Sequence, residues 1–300
     1  QWSRRNVEWN RENEETFYYP NKVITNRETV AAPNRIKYDY LNTSLNYNYT
    51  NGENSMLNIA FRTDVKDIPS GFTDRNTILH QKDKEYEVKD REQSETHIPS
   101  LDVYYQLNLK NDQHLYFDVV GTYLKSNNER TYSMTEVGLT PVEIRSKTEG
   151  DKYSIIGEAI YERPLWGGKF STGLMHNQAT MDNVYDGDAM TKVSMNTSET
   201  SLFTEYQSKI GKLNYTLGVG ALRTFYNQGN TSQERYFFRP TLNLSYSLGK
   251  VFLRYNASLS GYAPSLSAMS DVKQGMDAYQ VRRGNPNLKS VTYFTNRFSV

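Results

Sequence analysis

The chain has no cysteine, which removes disulfides, thiolate metal sites and cysteine nucleophiles together. It also lacks any apolar run approaching the ~20 residues that a membrane-spanning helix needs. The opening stretch QWSRRNVEWN has no apolar signal-peptide core. Charge of either sign is not in excess: 35 basic and 34 acidic residues leave a net charge of +1. That balance gives no electrostatic reason to expect a nucleic-acid partner. None of these absences excludes a barrel, whose strands place apolar side chains only at alternate positions and so read as polar on average.

What is present is unusual for a soluble enzyme. Only 37% of the residues are hydrophobic, yet 13% are aromatic, with 24 Tyr against 12 Phe and 3 Trp. Tyrosine carries an apolar ring and a polar tip, which suits a surface that is greasy at one level and wet at the next. Period-2 alternation recurs through most of the chain. In VFLRYNASLSGY, Val251, Leu253, Tyr255, Ala257 and Leu259 share one face, with Arg254, Asn256 and Ser258 on the other. Leu101, Val103, Tyr105, Leu107 and Leu109 alternate with Asp102, Gln106 and Asn108 in the same way. Leu213, Tyr215, Leu217, Val219 and Ala221 repeat the scheme against Lys212, Asn214 and Thr216.

Turn signals add a second pattern. Short turns fall at 51–53, 110–112, 165–168, 209–211 and 248–250, where Gly, Asn or Asp tolerate the positive φ of tight hairpins. Much longer polar stretches, 64–96, 126–148 and 263–287, lie between them. Short turns alternating with long loops characterise membrane barrels, with the turns periplasmic and the loops outside. The expected strands, about eleven, are 36–50, 55–65, 97–110, 114–137, 142–163, 169–184, 190–208, 212–227, 232–248, 251–262 and 290–300. The fold class is therefore all-β: an antiparallel transmembrane β-barrel, or a large fragment of one. Several strands exceed the ~9–11 residues that cross a bilayer and should project beyond it.

Toward the end the chain reads GYAPSLSAMSDVKQGMDAYQVRRGNPNLKS. Gly284, Asn285, Pro286, Asn287 and Leu288 form a corner in which glycine frees the backbone, and Pro286 restricts Asn285 and cannot donate to a ladder. With Pro264-Ser265-Leu266 upstream, this corner resembles the barrel domain of TonB-dependent-receptor-like outer-membrane proteins of the Bacteroidetes type. The family motif continues with Lys-Pro-Glu, whereas here Lys289 is followed by Ser290 and Val291.

The resemblance implies a bacterial outer-membrane receptor for an extracellular nutrient ligand, surrounded by outer-membrane lipid. It further implies a TonB-type energising partner acting through a plug. Neither a plug nor a signal peptide is recognisable within 1–300. The whole chain is expected to be a single β-barrel segment internal to a longer protein, about half of a 22-stranded barrel. A closed barrel of fewer strands is the alternative at the level of the fold. A water-soluble all-β adhesin or glycan-binding module, with the apolar faces buried against each other, is the alternative at the level of function.

No catalytic, cofactor or metal site is expected. His80, His97, His114 and His176 lack metal-ligand spacing. His97 and His114 straddle one short turn, and a barrel enzyme would need them together with acidic partners at one rim. Asp182, Asp186 and Asp188 lack the EF-hand spacing and its distal glutamate. Tyr38, Tyr40, Tyr47, Tyr49, Tyr104, Tyr105, Tyr116, Phe117 and Tyr123 are candidates for interfacial girdles. Phe72, Tyr86, Tyr132, Tyr185, Tyr262 and Tyr279 are candidate loop contacts for a ligand, with ordinary loop packing as the other reading.

Overall fold

The computed structural model describes residues 1–9, 12–18, 24–31, 34–70, 75–81, 84–136, 138–186, 190–229, 231–262, 264, 266–270, 272–275 and 281–300. The first strands are β1 (Trp2–Trp9), β2 (Glu12–Tyr18), β3 (Ile24–Ala31), β4 (Asn34–Asn51), β5 (Ser55–Ser70) and β6 (Arg75–Gln81). Six long ones follow: β7 (Lys84–Leu109), β8 (Gln113–Glu136), β9 (Val142–Leu165), β10 (Gly168–Asp186), β11 (Thr191–Ile210) and β12 (Leu213–Gln228). The remainder comprises β13 (Thr231–Phe238), β14 (Thr241–Leu248), β15 (Val251–Tyr262), the single turn α1 (Leu266–Met269), β16 (Gln274–Gly275), β17 (Val281–Arg282) and β18 (Val291–Ser299).

Sixteen of these strands form one antiparallel sheet. Its main path runs β1-β4-β5-β7-β8-β9-β10-β11-β12-β14-β15-β18, so neighbours in sequence are neighbours in space. Among the described residues β1 and β18 are the edges of that path, and the sheet does not close on itself. Strands β2, β3 and β6 attach to the far end of β7 and extend the sheet there.

The register shows what the alternation is for. One row across nine strands reads Tyr49, Leu57, Tyr105, Phe117, Ala159, Leu174, Leu202, Ala221 and Phe238. A row of the opposite face reads Asn108, His114, Glu162, Ser171, Glu205, Gly218, Thr241 and Ser258. The apolar rows are not buried by protein: Leu45 is 66% exposed, Leu202 56% and Leu217 50%. A soluble sandwich would have to bury these faces against each other, and this sheet does not. Such a contiguous apolar surface requires a hydrocarbon environment.

Tight turns gather at one end of the sheet. Asn111 and Asp112 join β7 to β8 at φ 61° and 53°, and Trp166 and Gly167 join β9 to β10 at 49° and 73°. The β9–β10 turn is a two-residue hairpin and the β7–β8 turn has three residues, 110–112; both use the left-handed region that tight hairpins favour. At the other end the strands run far past the apolar rows. The 24 residues of β8 span about 80 Å at ~3.3 Å each, where ~9–11 residues suffice to cross a bilayer. The stretches 64–96 and 126–148, expected as loops, are therefore largely strand extensions of β5 to β9. The expected strand 232–248 is interrupted at Arg239-Pro240 with its register kept: Gly220 and Arg239 exchange two backbone bonds of 3.1 and 2.8 Å. Pro240 accepts from Leu259 N but has no N–H to return.

Candidate luminal binding site

The described residues between Pro264 and Ser290 do not all stand off as a loop: Met269, Val272 and Leu288 pack on the polar face of the sheet near the end opposite the tight turns. Met269 of α1, 2% exposed, packs with Val193 and Met195 of β11 and Tyr226 of β12. Met181, Tyr185, Val272 and Leu288 flank that cluster. Burying such side chains is worth roughly 1.5–3 kcal/mol each, enough to hold a short segment with little regular structure.

The Gly284–Leu288 corner fastens this segment. Gly284 N donates to Ser270 O and Asn285 N to Ala268 O, each at 2.8 Å. A Cβ at position 284 would stand 2.4 Å from Ser270 O and 2.6 Å from Ala268 O, so only glycine fits. Asn285 Oδ1 accepts from Asn287 N at 2.9 Å, which closes an Asx turn around Pro286. Gln233 of β13 donates to the Pro286 carbonyl and ties the corner to the wall.

Beneath the segment is a pocket of about 370 Å³ walled by β9 to β13. Lys152, Asn177, Glu199, Gln233 and Arg235 line it with Tyr226 and Met269. Each of these strand residues sits at a polar-face position of its strand, so the alternation delivers both signs of charge to one cavity. Lys152, Glu199 and Arg235 form no ion pair with a described residue. Lys152 and Glu199 are half-buried and Arg235 is exposed, and all three remain available to a ligand that carries its own charges or hydrogen-bonding groups.

A second pocket of about 340 Å³ lies lower on the same face, lined by Tyr104, Tyr116, Asp118, Glu158 and Glu162. Glu162 there accepts from Lys169 and Ser171 at 2.9 Å and from Tyr116 at 3.2 Å. Tyr104 and Tyr116, expected in a girdle, thus face the polar side. Tyr47, Tyr49, Tyr105, Phe117 and Tyr123 share the apolar face. Among the described residues no group of three His, Asp or Glu could hold a metal ion.

The ligand-contact tyrosines are scattered. Tyr132 lies within β8 at 3% exposure, in a cluster with Val88 and Met134. The Arg130 guanidinium sits 5.6 Å from its ring and is held by Asp90 at 2.8 and 3.0 Å. Tyr185 lies in β10 beside the Met269 cluster and accepts from Asn183 at 3.1 Å. Tyr262, at the end of β15, is 54% exposed beside Tyr293. Tyr279 and Phe72 lie outside the described residues. Neither is Asp188 described. His97 pairs with Thr63 at 3.0 Å on the apolar side, while His114 meets Asn108 at 2.8 Å on the polar side. They are 17 residues apart across a turn that brings His114, not His97, opposite Asn108, so no histidine pair forms at one rim. Lys152, Glu199 and Arg235 were not among the sequence candidates. The signal for them was their polar-face parity near the middle of each strand.

Residues 107–300 match the outer membrane protein beta-barrel family. The chain belongs to that family. Its apolar face is thus the lipid face, its polar face the lumen, and its location the bacterial outer membrane. The turn end is periplasmic and the extended end extracellular.

Three solved structures are similar to this chain, and the first of them supports the fold. The ferric citrate transporter FecA in its unliganded form matches 86% of this chain and 42% of its own, with TM-score 0.53 and 14% identity. The Serratia marcescens hemophore receptor HasR, solved in complex with HasA and heme, matches 96% of this chain and 49% of its own, with TM-score 0.49 and 11% identity. The alcaligin receptor FauA from Bordetella pertussis matches 87% of this chain and 43% of its own, with TM-score 0.38 and 13% identity. This barrel chain spans less than half the length of each. No curated protein matches it.

Proposed function

We propose that this chain is part of the barrel of a TonB-dependent receptor that takes up a nutrient ligand through its lumen. The observation that carries the reading is the charged pocket under the Pro264–Ser290 segment, which faces the lumen at the extracellular end. Lys152, Glu199 and Arg235 would engage the ligand there, and Tyr262 would meet it at the rim. Tyr185 supports the segment from behind. The Gly284–Leu288 corner holds the segment over the pocket. Residues 1–300 would form one continuous barrel segment of a longer protein, with a plug that couples to an energising inner-membrane partner. The likeness to the FecA fold supports this arrangement, and the corner motif is the basis for placing the protein in the Bacteroidetes-type group.

The test is uptake by cells carrying the full-length protein, with ferric citrate, heme and labelled oligosaccharides offered singly. At least one should enter in a manner abolished by a protonophore, and Lys152→Ala with Arg235→Ala should lower that uptake about tenfold or more, as for loss of ~1.4 kcal/mol of binding. Entry of small solutes that is indifferent to the protonophore would indicate a passive pore instead. A complete gene without a plug would overturn the energised part of the reading.

A further inference from the structure

The lipid face is not evenly filled. Its row Leu45, Phe61, Leu101, Gly121 and Ile155 loses its side chain at Gly121. A Cβ there would meet no atom within 4 Å, and the same holds at Gly157 on the next strand. Neither glycine has the positive φ that would demand it. Beside Gly121, Pro99 of β7 has no N–H to donate, and the β7–β8 pairing lapses between His97↔Lys125 and Ser100↔Thr122. Missing bulk and a slackened ladder together leave a groove of about 560 Å³, walled by Phe61, Leu101, Tyr123, Tyr153 and Ile155.

The groove has a direction. Phe61, Leu101 and Ile155 make its lower part mostly apolar, with Gln178 and Thr180 along the β10 side, and its extracellular rim is the stacked pair Tyr123 and Tyr153, with ring centroids 4.8 Å apart. The Tyr123 hydroxyl donates to Asp151 at 2.5 Å. On the same face and just beyond the rim stand the Thr63–His97 pair and Lys125. Lys125 forms no ion pair with a described residue. Apolar below and polar above, with an aromatic rim at the level of the headgroups, is the polarity of one membrane lipid.

We propose that this groove is a binding site for a single outer-leaflet lipid, one acyl chain lying over Gly121 and an anionic headgroup beside His97 and Lys125. The groove is continuous with the bilayer contact of the apolar face, so hydrocarbon is what reaches it. A water-soluble ligand would have to leave water, and the lumen is on the other side of the wall. The bound chain would touch more protein than a lipid elsewhere on the belt, because the groove gives it side walls as well as a floor. Its exchange is correspondingly slower.

Gly121→Leu tests this directly, because a Cβ there meets nothing within 4 Å and the rest of the side chain is directed into the groove. Ala159→Leu adds the same bulk to the same face outside the groove and serves as the control. The full-length protein would be purified in mild detergent, checked for folding by its heat-dependent gel shift, and examined by native mass spectrometry with added phosphatidylglycerol. Wild type and Ala159→Leu should retain about one lipid through detergent exchange, and Gly121→Leu several-fold less. Lys125→Ala should retain phosphatidylglycerol no better than phosphatidylcholine. Equal retention by all variants, or none by the wild type, would overturn the proposal.

Discussion

One missing side chain sets how the Pro264–Ser290 segment returns to the wall. At Gly284 two backbone carbonyls stand where a Cβ would go, and carbonyls cannot rotate away as a flexible side chain can. Gly284→Ala should therefore push α1 off the wall, loosen the bonds to Ser270 and Ala268, and destabilise the segment by roughly 1–3 kcal/mol. Limited proteolysis should then cut within 264–290 several times faster, while the barrel keeps its heat-dependent gel shift. Unchanged cleavage would show that the corner tolerates a side chain. Trp166 is the converse case. A bulky residue at φ 49° carries a backbone cost, and at 87% exposure no protein packing offsets it. Its position at the periplasmic turn suits an indole lodged among headgroups.

At the scale of the element, legibility in the sequence followed the solvent. Where lipid touches one face and water the other, every second residue is pressed to be apolar, and the alternation of 251–259 and 213–221 marks β15 and β12 closely. Beyond the bilayer both faces meet water and nothing selects the pattern, so KDKEYEVKDREQSE reads as a solvated loop or a strand extension, and from Lys84 onward it is the outer part of β7. The corner at Gly284 was legible because glycine and proline act locally. The surface it docks on was not, since Met269 and Met195 meet only through the fold. Lys152, Glu199 and Arg235 were hidden for the same reason: they lie far apart in sequence and converge only across the sheet.

Attachment of the edge strand β1 can be tested at this scale. Arg4 grips Asp39 of β4 with two bonds of 2.8 and 3.1 Å, outside the bilayer belt. Hydrogen bonding to Arg4 holds the Asp39 carboxyl below its ordinary value. A depressed acid contributes stability that is complete above its unfolded pKa of ~3.9 and disappears as pH falls through the lower folded value. Amide protection of residues 2–9 should thus be higher at pH 6 than at pH 3 after correction for intrinsic exchange. Asp39→Asn should remove that difference. The same step in the variant would assign it to other groups.

For the whole molecule, one assignment decides the rest: the apolar rows meet lipid and the polar rows meet the lumen. An open sheet with edges at β1 and β18 cannot present unpaired backbone to hydrocarbon, so the full-length protein in bilayers is the right object. The absence of cysteine from this chain makes the measurement clean. Single cysteines at Phe117, Leu174, Leu202 and Leu217, and at their neighbours Asp118, Met175, Ser201 and Gly218, would carry a spin label in the reconstituted protein. Their collision rates with oxygen and with a water-soluble nickel complex would then be compared. Labels at the first four positions should favour oxygen and those at the second four should not, alternating with a period of two residues along each strand. Equal accessibility of both sets to the nickel complex would place the apolar face in water and contradict the barrel.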